Sequence, residues 1–191
     1  MYFLSECIAI DIKSLIRKHT EEIFEEAKSE TLDLFSVYES KNLMKAKSKK
    51  QLSEDISGLF GNSVANTIGS YGWNTEQPHK DGEPDVIIES VSLEIKVTSG
   101  EQWRGGSFSK RSGLFMLISW GLVDDSCEFF SSMVNMEKDD WISQMKKDNP
   151  NYYATFFGKK ELLNHDDYEV LRGRIYEYKR GKQNCVKIER E

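Results

Sequence analysis

Proline, cysteine and histidine are scarce in this 191-residue chain, with three of each. So few prolines leave no proline-rich linker, and no repeat or low-complexity segment breaks the sequence into modules. Cys7, Cys127 and Cys185 are odd in number, far apart and without a CxxC pair, so they signal neither a disulfide framework nor a zinc ribbon. They read as reduced structural thiols. His19, His79 and His165 lack any HxH or HExxH context, which argues against a zinc enzyme, although His79 falls in the loop just ahead of Asp85. No GxxxxGK[ST], no GxGxxG opening a helix and no serine nucleophile elbow occur. Long apolar runs are missing too, with nothing near the roughly 18 residues a membrane span needs. The start, MYFLSECIAIDIKSLI, has neither a basic region ahead of an apolar run nor a small-residue cleavage site. A cytoplasmic protein with no membrane partner is expected.

An excess of basic charge is also missing. The net charge of -6 and pI of 5.3 exclude indiscriminate coating of nucleic acid but leave room for a local cationic face. Charge is in fact segregated: EEIFEEAKSE near the start is acid-rich, whereas KNLMKAKSKK at 41–50 holds five lysines and no acid. Those lysines suit either a phosphate backbone or a solvated helix face. Aromatics at 12% and charged residues at 30% describe a folded chain with a real core.

Apolar positions at helical spacing, Ile8 to Ala27, predict a first helix over about 8–30. A second is predicted from about Ser40, breaking and resuming at Ser53 with Ile56, Leu59, Phe60, Val64 and Ile68 on one face. Gly58, Gly61 and Gly69 suggest short helices with a bend. From Tyr71 the character changes to turn-rich sequence, then DVII and SLEIKV, two adjacent strands joined by a tight turn near Glu89 to Ser92. A loop, VTSGEQWRGGSFSKRSG, follows; then LFMLISWGLV as a buried strand, CEFFSSMVNM as another, DWISQMKK as a short helix capped by Asp139 or Asp140, and NYYATFFG as a late strand. The sum is a mixed α/β domain, helices early and sheet in the middle.

Charged residues interrupt the two short strands. Glu94 and Lys96 share one face of SLEIKV, while Leu93, Ile95 and Val97 share the other. With the two strands antiparallel, Asp85 and Glu94 approach each other on one side of the sheet. Two convergent carboxylates make a hard oxygen site of the kind Mg²⁺ prefers, and a lysine beside them can orient or deprotonate a water. The bland alternative is a partly exposed Glu–Lys pair on an edge strand, kept for solubility.

Pro84-Asp85 followed by Glu94-Ile95-Lys96 resembles the PD-(D/E)xK nuclease superfamily, and the chain length resembles that of small type II restriction endonucleases. The resemblance implies a single nuclease domain over 1–191: a restriction-endonuclease-like mixed central sheet flanked by helices, helical over about 1–70 with its catalytic sheet core over about 71–160. It implies Asp85 and Glu94 as ligands of Mg²⁺, with Mn²⁺ able to substitute, the Ile95 carbonyl as a third ligand, and Lys96 assisting the attacking water. An acid on the preceding helix is implied as well, with Glu54 as candidate and Asp55 second. The implied substrate is double-stranded DNA, the implied assembly a homodimer, and a DNA methyltransferase acting on the same site is a possible partner. Arg104, Lys110 and Arg111 in the basic loop suit phosphates and base edges, beside Trp103 as a packing anchor and Phe108. Asn62 and Ser63, with Asn66 and Thr67, are candidates to line the same cleft. The alternatives are a structure-specific nuclease of the same fold, such as a Holliday-junction resolvase or repair enzyme, and a non-catalytic DNA-binding or interaction protein.

Overall fold

A computed structural model of the chain describes residues 12–78, 83–107, 112–123, 126–146, 149–166, 168–172, 175–179 and 182–186. The fold is mixed α/β. Two compact units divide it: Met1–Ile95 with Leu122–Cys127, and Lys96–Gly121 with Glu128–Glu191. Among the described residues no helix is long and apolar enough to cross a membrane.

In the first unit, residues 12–18 are helical and α1 (Thr20–Ser40) follows after a turn at His19. Glu21 and Glu22 in its first turn match the positive end of the helix dipole. Ile23, Phe24, Ala27, Thr31 and Phe35 recur at three-to-four spacing and are buried, and the helix runs ten residues beyond the expected end near residue 30. The chain then turns through Asn42, at a left-handed φ of 55°, and a short 3-10 helix, Met44–Ala46.

Helix α2 (Lys49–Ser70) starts at a capping box: the Ser48 hydroxyl accepts the Gln51 N–H at 3.2 Å while the Gln51 side chain accepts the Ser48 N–H at 2.8 Å. It buries Leu52, Ile56, Phe60, Val64 and Ile68, with Phe60 edge-on to Phe24 of α1 at 5.0 Å. The expected break falls earlier, at residues 41–48, with the helix resuming at Lys49 rather than Ser53, and the glycines do not divide it into short helices, α2 being one continuous helix. At two of the glycines the missing side chain serves close approach instead. A Cβ at Gly61 would stand 3.2 Å from the Gln77 amide, and one at Gly69 would stand 3.1 Å from the Thr75 hydroxyl.

Thr75 belongs to, and Gln77 directly follows, the first strand of an antiparallel meander of β1 (Thr75–Glu76), β2 (Val86–Ile88) and β3 (Val91–Thr98), registered Thr75↔Ile88 and Val86↔Leu93. The expected tight turn is two residues, Glu89 and Ser90, both at positive φ (48° and 77°), as in a type I′ hairpin.

The second unit holds β4 (Gln102–Ser107), most of β5 (Gly113–Val123) and β6 (Ser126–Met136), then β7 (Ile142–Lys146), β8 (Asn149–Gly158), α3 (Lys159–Leu163) and β9 (Tyr168–Arg172). A hairpin of β10 (Ile175–Lys179) and β11 (Lys182–Val186) follows, so strands continue past residue 160. Strands β5, β6 and β9 are neighbours in that order, and β4, β8 and β7 form a separate three-stranded antiparallel sheet. Trp103, Phe115, Phe130, Trp141 and Phe157 dominate the core of this unit.

Two expectations change here. The segment after β3 is not all loop, because Trp103 is fully buried and its indole N–H donates to the Ile118 carbonyl at 2.8 Å, which anchors β4. Gly105 permits the fit, since a Cβ there would lie 2.5 Å from the Trp141 ring. DWISQMKK is a strand rather than a helix. Asp140 closes the 3-10 turn Lys138–Asp140 by accepting the Glu137 N–H at 2.6 Å, after which buried Trp141 and exposed Ile142 alternate as a strand does.

Candidate metal centre

Strand β2 begins its pairing at Val86, while β3 runs on past Leu93. In the antiparallel ladder the N–H and C=O of Ile95 point to the same side as those of Leu93, which is where β2 would have continued. Both groups therefore need substitutes, because Ile95 is buried at 1% exposure. The Ile95 N–H donates to Oδ2 of Asp85 at 2.6 Å, and the Ile95 carbonyl accepts from the Ser57 hydroxyl on α2 at 3.2 Å. The sequence thus ends β2 with a carboxylate that finishes the ladder in place of a backbone carbonyl.

Carrying the Val86↔Leu93 register one residue further sets Asp85 opposite Glu94. In a regular pair, side chains so placed share a face with Cβ atoms about 4.5–5.5 Å apart. Glu94 is 9% exposed, and Lys96 stands two residues along the same strand, half-buried, with its side chain on the same face. Leu93 and Ile95 on the opposite face are buried, as the alternation requires. Asp85 just ahead of β2, Glu94 on β3 and the Ile95 carbonyl are oxygen donors of the type a hard divalent cation takes.

The helix acids do not complete this set. Glu54 pairs with Lys50 at 3.1 Å, one turn away on the exposed side of α2, and among the described residues no three His, Cys, Asp or Glu side chains converge. Asp55 is committed elsewhere: its Oδ2 accepts from Lys47 Nζ at 2.7 Å and from the Tyr38 hydroxyl at 2.9 Å. Lys47 also donates to the Tyr38 oxygen at 2.7 Å, and the hydrogen bond to Asp55 is the largest influence raising its pKa above the ordinary 10.5.

The candidate DNA contacts are divided between the two units, Asn62 and Ser63 in the first and Arg104 in the second. Ser63 is wholly buried, which removes it as a duplex contact. Asn62 accepts from the Gln77 amide at 3.1 Å, whereas Asn66 and Thr67 donate to Glu26 of α1, at 3.0 and 3.3 Å. Arg104 is exposed on β4, its guanidinium 5.8 Å from the centre of the Phe156 ring on β8. Lys110, Arg111, Phe108 and His79 lie outside the described residues. Sequence reasoning missed Ser57, because a serine inside a helix carries no periodic signal of the carbonyl it will meet.

In comparisons with known proteins, no family model and no curated protein matches the chain.

Proposed function

We propose that the chain is a Mg²⁺-dependent endonuclease that hydrolyses phosphodiesters of double-stranded DNA, most simply as a type II restriction enzyme working as a homodimer in the cytoplasm. The observation that carries this reading is the corner at Ile95. There a carboxylate ends one strand, a buried carboxylate sits on the next, and a lysine follows two residues on. Two carboxylates and a backbone carbonyl on one hairpin are the hard oxygen donors that Mg²⁺ takes.

Asp85 and Glu94 would hold the cation, with the Ile95 carbonyl beside them. Mg²⁺ supplies Lewis-acid polarisation of the phosphate and a more acidic water. The bond from Ile95 N–H to Asp85 fixes the carboxylate before substrate arrives. Lys96, on the same face, would orient the attacking water, whose proton passes to bulk water. Water oxygen bonds to phosphorus, the bond from phosphorus to the leaving sugar oxygen breaks, and that oxygen takes up a proton. Two-fold symmetric duplex sites match a homodimer, and a methyltransferase acting on the same sequence would protect the host.

The test is incubation of purified protein with unmethylated phage DNA in Mg²⁺ or Mn²⁺. Discrete fragments that vanish with a chelator and with Lys96→Ala support the reading. Cleavage confined to four-way junctions would move it to a structure-specific nuclease, and DNA binding without any cleavage would reduce it to a binding protein.

A further inference from the structure

Within the first unit, α2 links the Ile95 corner to the lysine-rich turn at 41–50. Ser57, bonded to the Ile95 carbonyl, lies nine residues beyond the cap residue Ser48, about 14 Å along the helix axis at 1.5 Å per residue. The turn is pinned to both helices. Lys47, the one lysine of the five that is not exposed, is locked to Asp55 of α2 and Tyr38 of α1, with its Nζ also 4.3 Å from the centre of the Tyr38 ring. That lysine serves structure, and the other four are exposed. Asp55 pairs with Lys47 and Glu54 with Lys50, and the exposed Lys41 and Lys45 outnumber Glu39, the one acid in the sequence between Asp33 and Glu54. The acids of the early turns of α1, Glu21, Glu22, Glu25 and Glu26, lie about 20–30 Å back along that helix, beyond the roughly 8 Å screening length at physiological salt. The turn is therefore a fixed, locally cationic knob on an acidic chain.

We infer that this turn is a seat for the phosphate backbone of duplex DNA, held by α2 about two helical turns and more from the metal centre. The inference rests on the nuclease reading and gives its substrate a second point of attachment. Lys41 and Lys45 carry the contact by charge, and Lys47 only holds the turn in place. Because the contact is to phosphate, it adds affinity without sequence preference.

The experiment is fluorescence anisotropy of a labelled DNA duplex titrated with full-length protein in Ca²⁺, to hold substrate uncut, across a series of salt concentrations. Wild type is compared with Lys41→Ala/Lys45→Ala and with Lys28→Ala on α1 as a control, after circular dichroism has shown all three folded. The slope of log affinity against log salt is expected to become shallower by about 1.8 for the double variant, about 0.9 per lost phosphate contact, and to stay unchanged for Lys28→Ala. An unchanged slope in the double variant, with wild type still binding, overturns the inference and leaves the nuclease reading standing. Weaker binding at the same slope overturns it too. Wild type that binds no duplex even at low salt overturns both.

Discussion

Replacing Asp85 separates its structural duty from its charge. In Asp85→Ala the buried Ile95 N–H loses its acceptor, and an unpaired buried donor costs about 1–3 kcal/mol. In Asp85→Asn the side-chain oxygen can still accept that bond. A bond to a charged group is worth about 1.5–3 kcal/mol and a neutral one about 0.5–1.5, so about 1 kcal/mol is forfeited. Both variants remove the same negative charge, so its effect cancels in the difference between them. That difference isolates the hydrogen bond, and Asp85→Ala is expected to be less stable than Asp85→Asn by about 1 kcal/mol, the middle of the unpaired-donor cost less the roughly 1 kcal/mol forfeited by the amide. For a chain of this length the gap is about 2–4 °C in Tm, at about 2–4 °C per kcal/mol. Urea and thermal unfolding followed by circular dichroism read it directly. Equal stability of the two variants would refute the claim that Asp85 completes the β3 ladder.

The remaining expectations concern parts of the fold away from this corner. Lys47→Met should destabilise the α1–α2 turn at neutral pH. The raised pKa of Lys47 means its contribution is complete below about pH 10.5 and is lost as pH climbs through the folded value; a Tm series up to alkaline pH should show this fall in wild type and a flatter profile in the variant. Glu30 is the opposite case, its pKa raised by burial first and then by Glu26 and Asp33. Its charge weakens the native state at neutral pH, and stability is regained as pH falls through the raised folded value. Glu30→Gln should therefore stabilise at pH 7 by about 0.2–0.5 kcal/mol for each relieved like-charge pair, a gain that shrinks in acid. Gly105→Ala places a methyl group 2.5 Å from Trp141 and 2.6 Å from Thr155, and should cost about 1–3 kcal/mol in urea unfolding.

The hairpin that carries the candidate site was legible because strand alternation is local: GEPDVIIESVSLEIKV shows Leu93 and Ile95 on one face and Glu94 and Lys96 on the other without reference to the rest of the chain. The reading failed where a residue answers to a distant partner. Gly58, Gly61 and Gly69 looked like helix breakers, yet 61 and 69 give room to Gln77 and Thr75. The glycine-rich stretch around Trp103 looked like flexible loop, yet Gly105 makes space for a tryptophan thirty-six residues later in sequence. Asp139 and Asp140 looked like helix caps because the same side chains close 3-10 turns. Glu54 and Asp55 were both reasonable third acids from sequence, but which helix face meets the sheet depends on packing, and the α2 side chain that bonds β3 there is Ser57, which donates to the Ile95 carbonyl. Ser63 illustrates the same limit, since a polar residue one position from Asn62 lies wholly inside.

The most direct measurement is single-turnover hydrolysis of unmethylated duplex DNA in Mg²⁺ by wild type and by Asp85→Asn, each first shown to be folded and close in Tm. Cleavage by wild type with a loss of about a hundredfold or more in the variant is expected if the Asp85 charge holds the cation. Equal rates in the two proteins, or no cleavage by wild type, would contradict the assignment of the Ile95 corner as a nuclease centre.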